Sequence, residues 1–306
     1  MRSLSTALFS AALLVALPPL SAAPLSAQSD PGILVSVDWL AARLGDPQVV
    51  VLHAEYTKPR YAQGHVPGAR FLDMTKLVWD GAGDPGVGTE MRAAAEIEGA
   101  LEAAGVRDGQ HIVIYGANAL AAARAWMTLD VMGLDRISLL DGGMAAWRQA
   151  GKPFSDQEPA AAPGSVTLRP RPGVMVDSDW ILSRLEDPSI TLIDARPDEE
   201  YTGADGGMGG RVHAGHIPGA YQIYWEKMVE SRDLWRARPR DDLKALFAAS
   251  GAAEGSTLVI YCMVGLRASY AYLVARMLGY DAKFYDGSWH DWGGKDLPYV
   301  SGTSRR

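Results

Sequence analysis

The chain has 306 residues, 48% apolar and 21% charged, the balance of a globular protein with enough apolar content for one large core or two smaller ones. That composition excludes a mainly disordered chain or a coiled coil. With 29 Lys and Arg against 36 Asp and Glu, net −7, there is no basic surplus to neutralise a phosphate backbone, which argues against nucleic acid as a partner.

In chain order, the first feature is Arg2 followed by an apolar, Ala-rich run from Leu4 to Leu20, the breakers Pro18 and Pro19, and small residues through Ala27. The run is too short and too Pro-broken to span a bilayer and reads as a secretory signal peptide over residues 1–27. A cut after Ala27 is expected, because a cut after Ala23 would put Pro24 first. The mature protein is then expected to be soluble, periplasmic or secreted, with no membrane contact. Its one cysteine, Cys262, allows no internal disulfide, so the thiol is either a small core residue or a reactive group. A metal site built on clustered cysteines is excluded.

Past that leader, Val49–Leu52, Ile112–Tyr115 and Ile137–Leu140 are apolar runs of strand length without polar alternation, which suits strands covered on both faces. The amphipathic stretch Met91–Ala104 lies among them. Gly151–Gly173, with Pro153, Pro159, Pro163, Pro170 and Pro172, reads as a linker. Strand runs return at Thr191–Ile193, Thr257–Tyr261 and Ala282–Tyr285, with helical patterns at Asp241–Ser250 and Ala268–Leu278. Strand and helix in alternation predict an α/β fold, each half a mainly parallel sheet flanked by helices.

The two halves are copies. Gly64-His65-Val66-Pro67-Gly68-Ala69 returns as Gly215-His216-Ile217-Pro218-Gly219-Ala220, and Ile112–Tyr115 as Leu258–Tyr261. Asp141-Gly142 and Trp147 return as Asp286-Gly287 and Trp292, Asp38-Trp39-Leu40 as Asp179-Trp180-Ile181, and Val51–Ala54 as Leu192–Ala195. Order is kept throughout, giving domains over 33–150 and 174–300 joined by 151–173. Residues present in both copies are explained by the fold, so His65 and His216 read as turn residues and Trp39, Trp180, Trp147 and Trp292 as packing anchors.

The copies differ most after the strand that ends in Tyr. Tyr115 is followed by Gly116-Ala117-Asn118-Ala119-Leu120-Ala121, whereas Tyr261 is followed by Cys262-Met263-Val264-Gly265-Leu266-Arg267. Cys262 replaces Gly116 and Arg267 replaces Ala121. With a helix starting near Ala268, residues 262–267 would form a loop beyond a strand end, where open α/β sheets bind ligands. Its free N–H groups, the helix dipole and Arg267 favour an anion and a thiolate. The chemistry this predicts is a thiolate nucleophile facing an anionic substrate.

The strand end Asp194-Ala195-Arg196, the Gly215–Ala220 turn, Cys262-x-x-Gly265-x-Arg267-Ala268-Ser269 and the Asp286-Gly287 to Trp292 segment, on a chain written twice, resemble the tandem-domain rhodaneses, the thiosulfate sulfurtransferases. The match runs from about residue 33 to 300. The resemblance implies two rhodanese-like domains: a first that is inactive, with Gly116 where the Cys would stand, and a catalytic second. Cys262 would attack the outer sulfur of a small donor such as thiosulfate, hold it as a persulfide and pass it to a thiophilic acceptor, cyanide or a thiol. No metal or organic cofactor is implied. Met263, Val264, Gly265, Leu266, Arg267 and Arg211 are the expected substrate-binding residues, with Asp194, Arg196 and Glu200 in support.

Three features depart from that pattern or extend it. The first copy reads His53-Ala54-Glu55 at the matching strand end. The second copy has ten extra residues before its Gly-His turn, rich in glycine from Gly203 to Gly210 and ending in Arg211, which reads as a flexible loop near the substrate as readily as a plain surface loop. Glu200 stands where many eukaryotic members carry Arg, and a carboxylate there is a candidate partner for the fork of Arg267, with Glu199 or Asp198 as substitutes, a pair absent from the first copy, which has Pro59 and Ala121. Four residues between Cys262 and Arg267, rather than the five of same-fold phosphatases and arsenate reductases, favour a sulfur atom over a tetrahedral oxyanion. 3-Mercaptopyruvate as donor and a non-catalytic sulfur carrier are the alternatives.

Overall fold

The computed structural model describes residues 32–78, 90–160, 162–252 and 255–305; the segment read as a signal peptide lies outside them. The first repeat runs β1 (Leu34–Val35), α1 (Val37–Ala41), β2 (Val49–Glu55), α2 (Lys58–Ala62), β3 (Arg70–Asp73), α3 (Ala94–Ala103), β4 (His111–Tyr115), α4 (Ala119–Val131), β5 (Ile137–Leu140) and α5 (Gly143–Gln149). The second runs β6 (Met175–Val176), α6 (Ser178–Leu182), β7 (Ile190–Asp194), α7 (Asp198–Thr202), the one-turn α8 (Gly206–Gly210), β8 (Tyr221–Gln222), α9 (Arg240–Ala249), β9 (Thr257–Tyr261), α10 (Leu266–Leu278), β10 (Asp281–Tyr285) and α11 (Ser288–Gly293). Each repeat folds into a five-stranded sheet, ordered β1-β5-β4-β2-β3 and β6-β10-β9-β7-β8, and every pairing within them is parallel.

The unalternated strands are buried on both faces, as parallel sheets require. In β4, Ile112 and Ile114 face a large core while Val113 and Tyr115 face a smaller outer one with Val51, Leu140 and Trp147. The large core is shared: Ile114, Ala125 and Trp126 of the first repeat belong to the same apolar cluster as Ile260, Tyr272 and Phe284 of the second. Helices α4 and α10 pack on each other across the domain boundary, and Asp130 of α4 accepts from Tyr272 Oη at 2.6 Å and Arg276 Nη2 at 3.2 Å.

Several local expectations change. Among its described residues the segment 151–173 has no helix or strand, yet it is laid along the first domain, with Ser155 exchanging backbone hydrogen bonds with His65 (2.9 and 2.8 Å) and Arg169 N–H donating to Met132 O at 2.9 Å. Trp147 and Trp292 are core anchors, each indole N–H donating to a proline carbonyl at 2.8 Å. Trp39 and Trp180 are instead half-buried and covered by Arg43 and Arg184, 4.1 and 4.4 Å from the ring centroids. His65 and His216 are buried turn residues, each ring between two backbone carbonyls and stacked on Tyr61 or Tyr201 at 3.9 and 3.7 Å.

Candidate active site

Strand β9 delivers Cys262 to the carboxyl edge of the second sheet. Helix α10 begins at Leu266, not near Ala268, so the loop is Cys262–Gly265, and Leu266 and Arg267 lie in the first helical turn. Helix α4 starts four residues after Tyr115 and α10 five after Tyr261, so the thiol-bearing loop is longer by one residue. Gly265 takes the N-cap position in the left-handed region, φ +86°, a conformation that favours glycine. Its N–H donates to Cys262 Sγ at 3.2 Å.

The other ends of the loop are clamped by the turn into α11. Cys262 N–H donates to Ser288 Oγ (3.2 Å), which donates to Tyr285 O (2.9 Å), and Trp289 and His290 N–H donate to the carbonyls of Cys262 and Met263 at 2.9 and 3.0 Å. Cys262 is fully buried, so its sulfur faces a fixed N–H and the start of a thirteen-residue helix rather than water.

Glu200, on α7, meets Arg267 in a bidentate pair, Nη1 to Oε1 at 2.6 Å and Nη2 to Oε2 at 2.7 Å, with each side chain about one-fifth exposed at 20% and 18%. Burial opposes the charge on Arg267, but the bonds to Glu200 and the field of Cys262 outweigh it and raise the pKa of the guanidinium. A permanent cation therefore stands beside the thiol. Asp194 and Arg196 form a fully buried pair. Arg196 Nη2 also donates to Gly215 O at 2.7 Å and its guanidinium lies 4.7 Å from the Trp289 ring, which ties the strand end to the Gly-His turn and to the clamp.

Arg211 is exposed, and among the described residues no hydrogen bond or ion pair joins its side chain to the loop. The glycine segment before it is not a loose loop. Gly207, Met208 and Gly209 form a left-handed turn, Asp205 caps Gly207 N–H at 3.0 Å, and a Cβ at Gly207 would sit 2.3 Å from Val212 O. The structure thus gathers Cys262, Met263, Val264, Gly265, Leu266, Arg267 and Glu200, and leaves Arg211 apart.

The corresponding place in the first domain is closed. A Cβ on Gly116 would lie 2.7 Å from Ala54 O, and the Trp235 ring of the second domain rests on Gly143, within 2.2 Å of where a Cβ would be. Sequence reasoning missed Ser288 and Trp235. It also missed Arg124, a buried α4 residue whose Nη2 lies 2.7 Å from Asp286 Oδ1. Only the difference between Arg124 and its repeat counterpart Tyr270 could have signalled it.

A rhodanese-like domain pattern matches the chain twice, over residues 36–150 and 177–295. The chain belongs to the rhodanese family of sulfurtransferases. This sulfurtransferase is 33% identical over 261 residues to the thiosulfate sulfurtransferase of Azotobacter vinelandii, covering 83% of this chain and 91% of that one. It is 31% identical over 275 residues to the sulfur carrier protein TtuD of Thermus thermophilus, covering 86% and 94%. Among solved structures it superposes on Escherichia coli SseA, described as a 3-mercaptopyruvate sulfotransferase, with TM-score 0.73 and 26% identity over 84% of this chain and 99% of that one.

Proposed function

We propose that this rhodanese moves sulfane sulfur from thiosulfate to a thiophilic acceptor through a persulfide on Cys262. The thiolate attacks the outer sulfur of thiosulfate, a bond from Sγ to that sulfur forms, the donor's S–S bond breaks, and sulfite leaves with the electron pair. The acceptor, cyanide or a thiol, then attacks the outer sulfur and the electrons return to Cys262. Covalent catalysis divides one transfer into two easier ones. The observation that carries the reading is a lone thiol held by Gly265 N–H beside Arg267, a cation fixed by Glu200, which suits a dianionic donor and a thiolate leaving group.

Relatives named for thiosulfate and for 3-mercaptopyruvate are both similar to this chain, so the donor is decided by direct comparison. Purified protein treated with each donor should gain the mass of one sulfur on Cys262 and turn over with cyanide, faster with thiosulfate; preference for 3-mercaptopyruvate would reverse the donor assignment. Loading without turnover would make the protein a carrier. Cys262→Ser should abolish both loading and turnover while keeping the circular dichroism spectrum, since a hydroxyl is far less acidic and nucleophilic. We also propose export, from residues 1–27; a mature N-terminus at Gln28 in the periplasmic or secreted fraction tests it.

A further inference from the structure

The two central helices each reach into the other domain at matching places. Tyr270 of α10 stands 146 residues after Arg124 of α4, the spacing that relates Cys262 to Gly116. Tyr270 lies at the Asp141 side of the first domain, with Oη 3.5 Å from Trp235 O and its phenol proton held by burial and by the Asp141 carboxylate. Arg124 is fully buried against Asp286, the counterpart of Asp141 in the second domain. Beside the loop without a thiol the crossing residue is neutral; beside the loop with one it is a cation.

That cation lies against the loop itself. A Cβ on Gly265 would sit 2.8 Å from Arg124 Nη1 and 2.8 Å from Asp286 Oδ1, and Gly265 N–H is the group that donates to Cys262 Sγ. Asp286 Oδ2 accepts from Met91 N–H at 2.7 Å, a second contact from the first domain. A buried carboxylate in contact with the loop would oppose a thiolate unless compensated, and both compensating groups come from the domain that lacks the thiol.

We propose that Arg124 is a positioning residue for the catalytic loop: it neutralises Asp286 and seats Gly265 so that its N–H meets the Cys262 sulfur, which makes the first domain part of the sulfur-carrying site. The inference rests on Cys262 being the sulfur carrier. Among the described residues the other charged and titratable groups on the elements packed against the loop include the Arg267–Glu200 pair from α10 and α7, the Asp194–Arg196 pair at the end of β7, and His290 and the Lys295-paired Asp291 on α11, none of which is altered in the test.

Arg124→Met, Asp286→Asn and the double variant are compared in the full chain by the pH dependence of Cys262 alkylation with iodoacetamide, a neutral reagent, and by kcat and KM for thiosulfate. Arg124→Met should move the alkylation midpoint up by about one pH unit, a roughly tenfold slower reaction at neutral pH, and lower kcat with KM unchanged within twofold. The double variant, which removes the uncompensated carboxylate, should recover most of the midpoint. A folded Arg124→Met protein with the wild-type midpoint and kcat, or a double variant no better than the single, overturns the inference. If Arg124→Met fails to fold, Arg124→Lys, which keeps the charge but not the fork, should hold the midpoint and lower kcat; a wild-type kcat there overturns it equally. Sulfur uptake by Cys262→Ser would instead bring down the carrier reading beneath it.

Discussion

Replacing Gly265 with alanine tests whether the Cys262 loop is held by both its backbone conformation and the groups beneath it. At φ +86° an L-residue costs about 1–2 kcal/mol relative to glycine. The new methyl would also meet Arg124 Nη1 and Asp286 Oδ1 at 2.8 Å each, and crowding of that kind in a packed interior adds about 1–3 kcal/mol. Gly279, at the other end of the same helix, is the control: its φ is +93° and nothing lies within 4 Å of a Cβ there, so Gly279→Ala carries the backbone cost alone. For a chain of this size, with about 2–4 °C of melting temperature per kcal/mol, Gly265→Ala should melt roughly 10 °C below wild type and Gly279→Ala roughly 5 °C below. Activity should separate them further, because only Gly265→Ala moves an N–H off the sulfur. Thermal melts and thiosulfate–cyanide turnover on both variants are the assay. Equal melting temperatures with wild-type turnover in both would refute the reasoning.

Other perturbations give equally definite outcomes. In a double-mutant cycle on Glu200→Gln and Arg267→Lys, read through kcat/KM with thiosulfate, the two bonds should couple by about 1–2 kcal/mol, so the double variant loses roughly 5–30-fold less than the product of the single losses; strictly additive losses would show two independent side chains. Gly116→Cys should destabilise the first domain and give no second persulfide by intact mass, since its Cβ meets Ala54 O at 2.7 Å; two added sulfurs would contradict the closed site. Burial and the nearby His65 lower the pKa of His53 from 6.5 to about 4. The unfolded chain thus binds this proton first, and the contribution is complete above about pH 6.5 and is lost as pH falls toward 4, up to about 3 kcal/mol. Urea midpoints of His53→Asn should be less acid-sensitive than wild type over that window, and parallel curves would exclude His53 as the cause.

The repeat made most of the fold legible, because a motif seen twice in order separates what the sheet needs from what the chemistry needs. Thr257–Tyr261 was readable as a strand from its unbroken apolar run, and His65 and His216 as turn residues from their recurrence. The start of α10 was misread by two residues because Gly265 caps it by backbone conformation alone, with no Ser, Thr, Asp or Asn to mark it. Glu200 could be paired with Arg267 from the placement of strand ends in this architecture. Arg124 could not be placed on local grounds: it sits in an Ala-rich helix, and its partner Asp286 lies far along the chain in the other repeat. The glycines from 203 to 210 suggested freedom, whereas several are needed for a left-handed turn pressed against Val212.

Trp235 changes what the thiol-less half of the molecule amounts to. A spare copy of a catalytic unit could be expected to drift, its empty cleft of no further use. Here the cleft is a socket: the indole of the opposite half is seated on Gly143, beside the carbonyl of Gly116. The same place that holds Gly116 in the first half and Cys262 in the second is, in the first, where the neighbouring domain is seated. The two halves are joined by far more than the segment 151–173, since one apolar core and the pairs Asp130–Tyr272 and Arg124–Asp286 cross between them. Pulling the halves apart would uncover the Trp235 indole on one, open the socket at Gly143 on the other and leave Asp286 without Arg124.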